Sequence, residues 1–73
     1  MISLDELKKD NTGTIKSINC NIAIKRRLLD LGLIVGTEIT PIFVSPLGDP
    51  TAYEFRGNII AIRKDEAKKI LIN

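Results

Sequence analysis

Apolar residues fall along this chain in short runs separated by polar punctuation, and their spacing changes from run to run. Ser3-Leu4-Asp5-Glu6 has the form of a capping box, a hydroxyl placed to accept an amide bond and a carboxylate three residues on to return one. Leu4 and Leu7 then share one face of a single turn. Asp10-Asn11-Thr12-Gly13 is turn chemistry, and Thr14-Ile15-Lys16-Ser17-Ile18 behind it is β-branched enough for a strand. Ile15 and Ile18 break strict alternation, which predicts a bend or bulge between them. Asn21 reads as an N-cap and Gly32 as the residue just past a helix end, so Ile22 to Leu31 is predicted as a helix. Ile24, Leu28 and Leu31 fall on one stripe of it, the predicted core face. Leu29 and Ile22 sit side by side on a second apolar strip, flanked by Lys25 and Arg26.

The second half reads as sheet. Gly36-Thr37 opens an extended run, Glu38 to Val44, in which Pro41 cannot donate to a ladder and marks an edge or a kink. Ser45 to Pro50 is a loop that holds one leucine, Leu47, between prolines. Thr51 to Phe55 alternates, with Thr51, Tyr53 and Phe55 on the face predicted to be core and Ala52, Glu54 and Arg56 opposite. Gly57-Asn58 is a two-residue hairpin signal, and Ile59 to Ile62 returns as the partner strand. Lys64 to Lys69 makes a short helical turn with acids early and bases late, as the macrodipole favours, and Ile70 to Ile72 closes the sheet. Five short strands, one helix between the first and second, and a helical turn before the last predict an all-β fold, a small and strongly bent antiparallel barrel. No repeat or linker divides residues 1–73, so one domain is expected.

Composition removes most chemistry. The chain has 73 residues and no histidine, which takes away the commonest metal ligand and the commonest general base near neutral pH. Cys20 is the only cysteine, so no disulfide forms within a monomer and a reducing compartment is expected. The nine carboxylates show no loop spacing that would wrap a cation, and no glycine-rich phosphate loop opens a helix. No metal, cofactor, nucleotide site or catalytic residue is therefore expected. No run approaches the length needed to cross a bilayer, and Asp5 and Glu6 stand where a secretory signal would carry bases, so a cytoplasmic protein without direct membrane insertion is expected. The net charge of +2 is too slight to dictate a partner.

Three segments taken in order are specific: Arg26-Arg27-Leu28-Leu29-Asp30-Leu31-Gly32-Leu33, Gly36-Thr37-Glu38-Ile39 and Pro46-Leu47-Gly48-Asp49-Pro50. With Ser3 to Leu7 and Gly13-Thr14-Ile15 before them, and Arg56-Gly57 and Ile62 to Ala67 after, the chain resembles the FeoA family of bacterial ferrous-iron uptake over nearly its whole length. The resemblance implies an SH3-like barrel. It also implies a non-catalytic accessory role for a FeoB-type membrane transporter, approached from its cytoplasmic side, where that transporter carries a GTP-binding domain. The same domain type ends iron-dependent repressors of the DtxR class, and here it is expected to stand alone.

Six residues are candidates for partner binding: Ile22, Arg26, Arg27, Leu29, Leu47 and Asp49. Each has a plainer alternative. Ile22 and Leu29 form a docking strip or pack under Leu4 and Leu7, the second being the commoner use of a terminus in a small domain. Arg26 is expected to pair with Asp30 one turn on, which leaves Arg27 as the better guanidinium for a partner's carboxylate or phosphate. Leu47 either plugs one end of the barrel or is offered as a knob, and Asp49 is expected to cap a turn. Cys20 is expected to be inert packing. The competing function is a nucleic-acid-binding barrel built on Arg63, Lys64, Lys68 and Lys69, which would need stacking aromatics beside the cations. A homo-oligomer through edge strands bearing Val44 or Ile70 stays open.

Overall fold

A computed structural model describes residues 1–73. The chain runs β1 (Ile2–Ser3), a 3-10 turn (Leu4–Glu6), β2 (Gly13–Ile18), α1 (Ile22–Asp30), β3 (Glu38–Val44), β4 (Thr51–Phe55), β5 (Asn58–Ile62), α2 (Lys64–Ala67) and β6 (Ile70–Ile72). The five expected strands are all present, and the helix follows the first of them. The sixth, β1, is two residues long and carries no hydrophobic period to read. Every pairing is antiparallel, in the order β1-β6-β2-β3-β4-β5.

The bends fall where the pattern broke. Pairing of β2 with β6 slips between Ile15 and Ser17, and the extra residue lets Ile15 and Ile18 both enter the core. A second slip, between Pro41 and Phe43, bends β3 against β4 beside the residue that has no amide to donate. The β4–β5 hairpin differs from the expectation. Phe55 pairs with Asn58, so the turn residues are Arg56 and Gly57, at φ 50° and 78°. Two positive φ values match the right-handed twist of the flanking strands, and Asn58 is left in the ladder.

Twelve residues form the core, Tyr53 and Phe55 among them at 2% exposure each. The accessible surface, 4621 Å², is close to the ~4,500 Å² that a compact chain of this mass retains. Leu4 is fully buried against α2 and β6, and Glu6 accepts the Ser3 amide at 3.2 Å, the returning half of the expected capping box. Ile70 is buried rather than exposed, because β6 lies between β1 and β2 instead of at an edge.

Both ends of α1 are closed by short-range hydrogen bonds. Asn21 Oδ1 accepts the Ile24 amide at 3.0 Å. At the other end Gly32, at φ 92°, donates to Leu29 O and Leu33 donates to Leu28 O, both at 2.9 Å. This Schellman closure folds Leu33 back beneath the helix beside Leu28. Leu33, not Leu31, therefore completes the core stripe: Leu31 is exposed, Leu28 fully buried and Ile24 half-buried.

Gly13 is held by space rather than by φ. A Cβ there would lie 2.7 Å from Ile72 Cδ1 and 3.3 Å from Leu7 Cδ2, and Ile72 belongs to the buried core. Gly13→Ala reduces unfolded-chain entropy, a gain of about 0.4–1 kcal/mol, against overpacking of about 1–3 kcal/mol. The expected result is a net loss near 1 kcal/mol, read as a lower urea midpoint; a raised midpoint would show that Ile72 gives way.

Candidate partner-binding site

The strip left over on α1 stays outside. Ile22 and Leu29 are 79% and 57% exposed, so they do not pack under Leu4 and Leu7. Leu4 has turned instead toward α2 and β6, and no element is left to cover the outer face of α1. The facing wall comes from a turn. Thr37 donates its amide to Ile34 O at 3.1 Å, its hydroxyl accepts the Ile34 amide at 3.2 Å, and Gly36 supplies the positive φ the corner needs. Ile15 anchors the turn to β2 by accepting from Gly36 and donating to Thr37. Ile34 and Val35 are thereby held out at 38% and 61% exposure.

Between this turn, the end of β2 and α1 lies a groove made of two hollows. One, of about 360 Å³, has Leu33 among its lining and Lys16 and Lys25 beside Leu29, Ile34 and Val35. The other, of about 290 Å³, is formed by Ile22, Lys25, Arg26 and Leu29. Leu29 and Lys25 belong to both, and no carboxylate lines either. Of the six candidates, the structure gathers Ile22, Arg26 and Leu29 here. Ile34, Val35, Lys16 and Lys25 complete the surface. The sequence signal for the first two was the run Leu33-Ile34-Val35 ahead of Gly36, three consecutive apolar residues that a tight turn cannot all bury.

The other three candidates lie elsewhere, and the two arginines exchange roles. Arg26 makes no ion pair with Asp30; an exposed pair of this kind gains only a few tenths of a kcal/mol against side-chain entropy. Arg27, expected to be free, places Nη2 3.2 Å from Glu66 Oε1 and 3.3 Å from Oε2, bracing α1 against α2. The partner comes from 39 residues away, beyond any i, i+4 rule. Asp49 is tied down as well: its Oδ1 accepts the Lys64 amide at 2.8 Å, so it caps a distant helix rather than its own turn. Leu47 is 95% exposed on the turn closed by the Gly48 amide on Ser45 O, which excludes the plug.

Cys20 sits half-buried with Sγ 3.7 Å from the Glu66 carbonyl. Burial first, then the Glu66 charge, pushes its thiol above the ordinary 9.0, while Lys69, Arg27 and Lys25 pull weakly the other way. Thiolate is the reacting form, so alkylation by iodoacetamide at pH 8 is expected to run slower than for a free cysteine peptide and to rise through a higher pH. A rate equal to the peptide's would overturn the packing role. The side chains bring together no group of three His, Cys, Asp or Glu able to hold a metal ion. Burial of Tyr53 and Phe55 leaves Phe43 as the one exposed aromatic, so the basic segment Arg63 to Lys69 has no stacking platform. No helix is long and apolar enough to cross a membrane.

Comparison with known proteins decides the family. The model of the FeoA domain matches residues 2–73. This chain belongs to the FeoA family. Among solved structures, the FeoA protein from Chlorobium tepidum is 34% identical, with a TM-score of 0.93 over 97% of this chain and 68% of that one. The FeoA of Stenotrophomonas maltophilia, described as an SH3 domain protein and complexed with zinc, is 28% identical, with a TM-score of 0.86 over 100% of this chain and 91% of that one. The architecture is thus the SH3-like FeoA fold. A third relative, from Porphyromonas gingivalis, is a fusion of Fe(2+) transport protein A with the Fe(2+) transporter FeoB. It is 28% identical over 67 residues, which are 92% of this chain and 8% of the fusion. The FeoA chain therefore spans less than a tenth of that relative.

Proposed function

We propose that this FeoA chain is a cytoplasmic accessory factor of ferrous iron transport that docks on, and modulates, a FeoB-type GTP-binding transporter. The observation that carries the reading is the fusion relative, in which a domain similar to this one is joined covalently to FeoB. A covalent link holds two domains at an effective concentration near millimolar, and where no such link exists the contact rests on affinity alone. The exposed groove on α1 is the surface suited to supply it. Ile22 and Leu29 are its apolar anchors and Arg26 its guanidinium, with Leu47 as a second knob on the β3–β4 loop. Arg27 and Asp49 act one step back, by fixing α1 and that loop to α2.

The test is calorimetric titration of the FeoA chain into the cytoplasmic part of a FeoB-type transporter and into the full-length transporter, with and without guanine nucleotide. Binding that disappears with Leu29→Asp or Leu47→Asp supports the docking role and selects between the two surfaces. No binding in any nucleotide state would overturn the function.

A further inference from the structure

The groove is specific about what it accepts. We infer that it takes an acidic amphipathic peptide segment of a protein partner, with two apolar side chains seated on either side of Leu29 and carboxylates alongside them. The inference rests on the docking role proposed above and names the chemistry of the segment that docks.

Shape supplies the first half of the argument. The two hollows, about 360 and about 290 Å³, share Leu29 and Lys25 as their common wall, so one continuous segment entering the groove meets a divided floor. Apolar residues one helical turn apart on the segment straddle such a wall, one in each hollow. Charge supplies the second half. Lys16, Lys25 and Arg26 rim the hollows, none of them is in an ion pair, and no carboxylate lines either hollow. Carboxylates on the segment complete this rim, which sets orientation and speeds encounter.

The same features disfavour other occupants. A second copy docked by two-fold symmetry would set Lys16, Lys25 and Arg26 near their own duplicates. An anionic bilayer is flat and takes up protruding apolar side chains, whereas the larger hollow has among its lining Leu33, which is 1% exposed. A nucleic acid would find the cations without an aromatic among the lining residues.

The experiment uses the full chain, isotopically labelled, and two blocked model peptides. One carries leucine at i and i+4 positions with glutamate elsewhere; the other has lysine in place of every glutamate. The acidic peptide is expected to shift the amides of Leu29, Ile34 and Val35, with affinity falling as salt rises, and the basic peptide is expected to shift none of them. Lys25→Glu combined with Arg26→Glu should weaken the acidic peptide by about tenfold or more and admit the basic one. Equal response to both peptides would reduce the groove to an unselective apolar patch and overturn the inference. So would shifts that depend on protein concentration alone, co-sedimentation of the chain with phosphatidylserine vesicles through these residues, or silence toward both peptides. If the peptides are silent while the transporter's cytoplasmic part still binds, the chemistry named here fails and the docking role stands; the reverse pattern sinks the role and keeps the groove.

Discussion

A chain carrying Leu29→Asp is expected to fold and to lose its partner. Leu29 is 57% exposed, so little buried area goes with it. The stability cost comes from the helix: a carboxylate in the last turn of α1 opposes the macrodipole by about 0.3–1 kcal/mol, partly offset by Lys25 one turn earlier. A net loss below about 1 kcal/mol leaves most molecules folded. Binding should respond far more strongly, because Leu29 is the shared wall of both hollows and an apolar anchor at the centre of an interface carries about 2 kcal/mol or more. That is a fall in affinity of roughly 30-fold, before any repulsion between the new carboxylate and an acidic segment is added. The measurement is a calorimetric Kd against the transporter's cytoplasmic part, paired with a urea midpoint for the variant alone. An unchanged Kd at unchanged stability would remove the groove from the interface.

The neighbouring residue should show the opposite. Leu28→Ala opens a cavity under α1 at a position with no exposure, which costs about 2–5 kcal/mol in well-packed cores. Set against a whole-domain stability of about 4–11 kcal/mol for a chain this long, that is between a fifth of it and all of it. The urea midpoint is expected to fall by about 2 M or more at a slope near 1 kcal/mol/M. Leu33 lies beside Leu28 through the Schellman closure and loses its neighbour too, so the turn bearing Ile34 and Val35 should loosen with the helix. Partner binding would then fall only as far as the unfolded fraction rises, and a saturating partner would recover it. A midpoint lowered by less than about 0.5 M would mean that α1 collapses onto the sheet and fills the space.

Legibility from sequence followed the range of the interaction. Most local signals held: the cap at Asn21, the glycine past the helix, the proline kink in β3 and the bulge in β2 all lie where residue type alone placed them, while the β4–β5 turn fell one residue early, at Arg56-Gly57. The apolar strip of Ile22 and Leu29 was visible as a period, but not whether it was covered. That depended on where Leu4 went, and Leu4 went to α2. The two arginines were assigned to each other's roles for the same kind of reason. A helical-wheel rule sees Asp30 four residues on and cannot see Glu66, which arrives with α2 from the far end of the chain. Asp49, on its loop, was likewise read as a local cap while its real partner is the Lys64 amide.

The residues in order were enough to determine a histidine-free, antiparallel β fold with a single regular helix, because capping, turn chemistry and alternation act within a few residues of themselves. The tertiary structure alone decided which apolar residues are left in water, which cations are left without a partner, and that these two sets border one groove. Burial and ion pairing are contests among all the surfaces the chain possesses, and their outcome is fixed only when distant segments have taken their places.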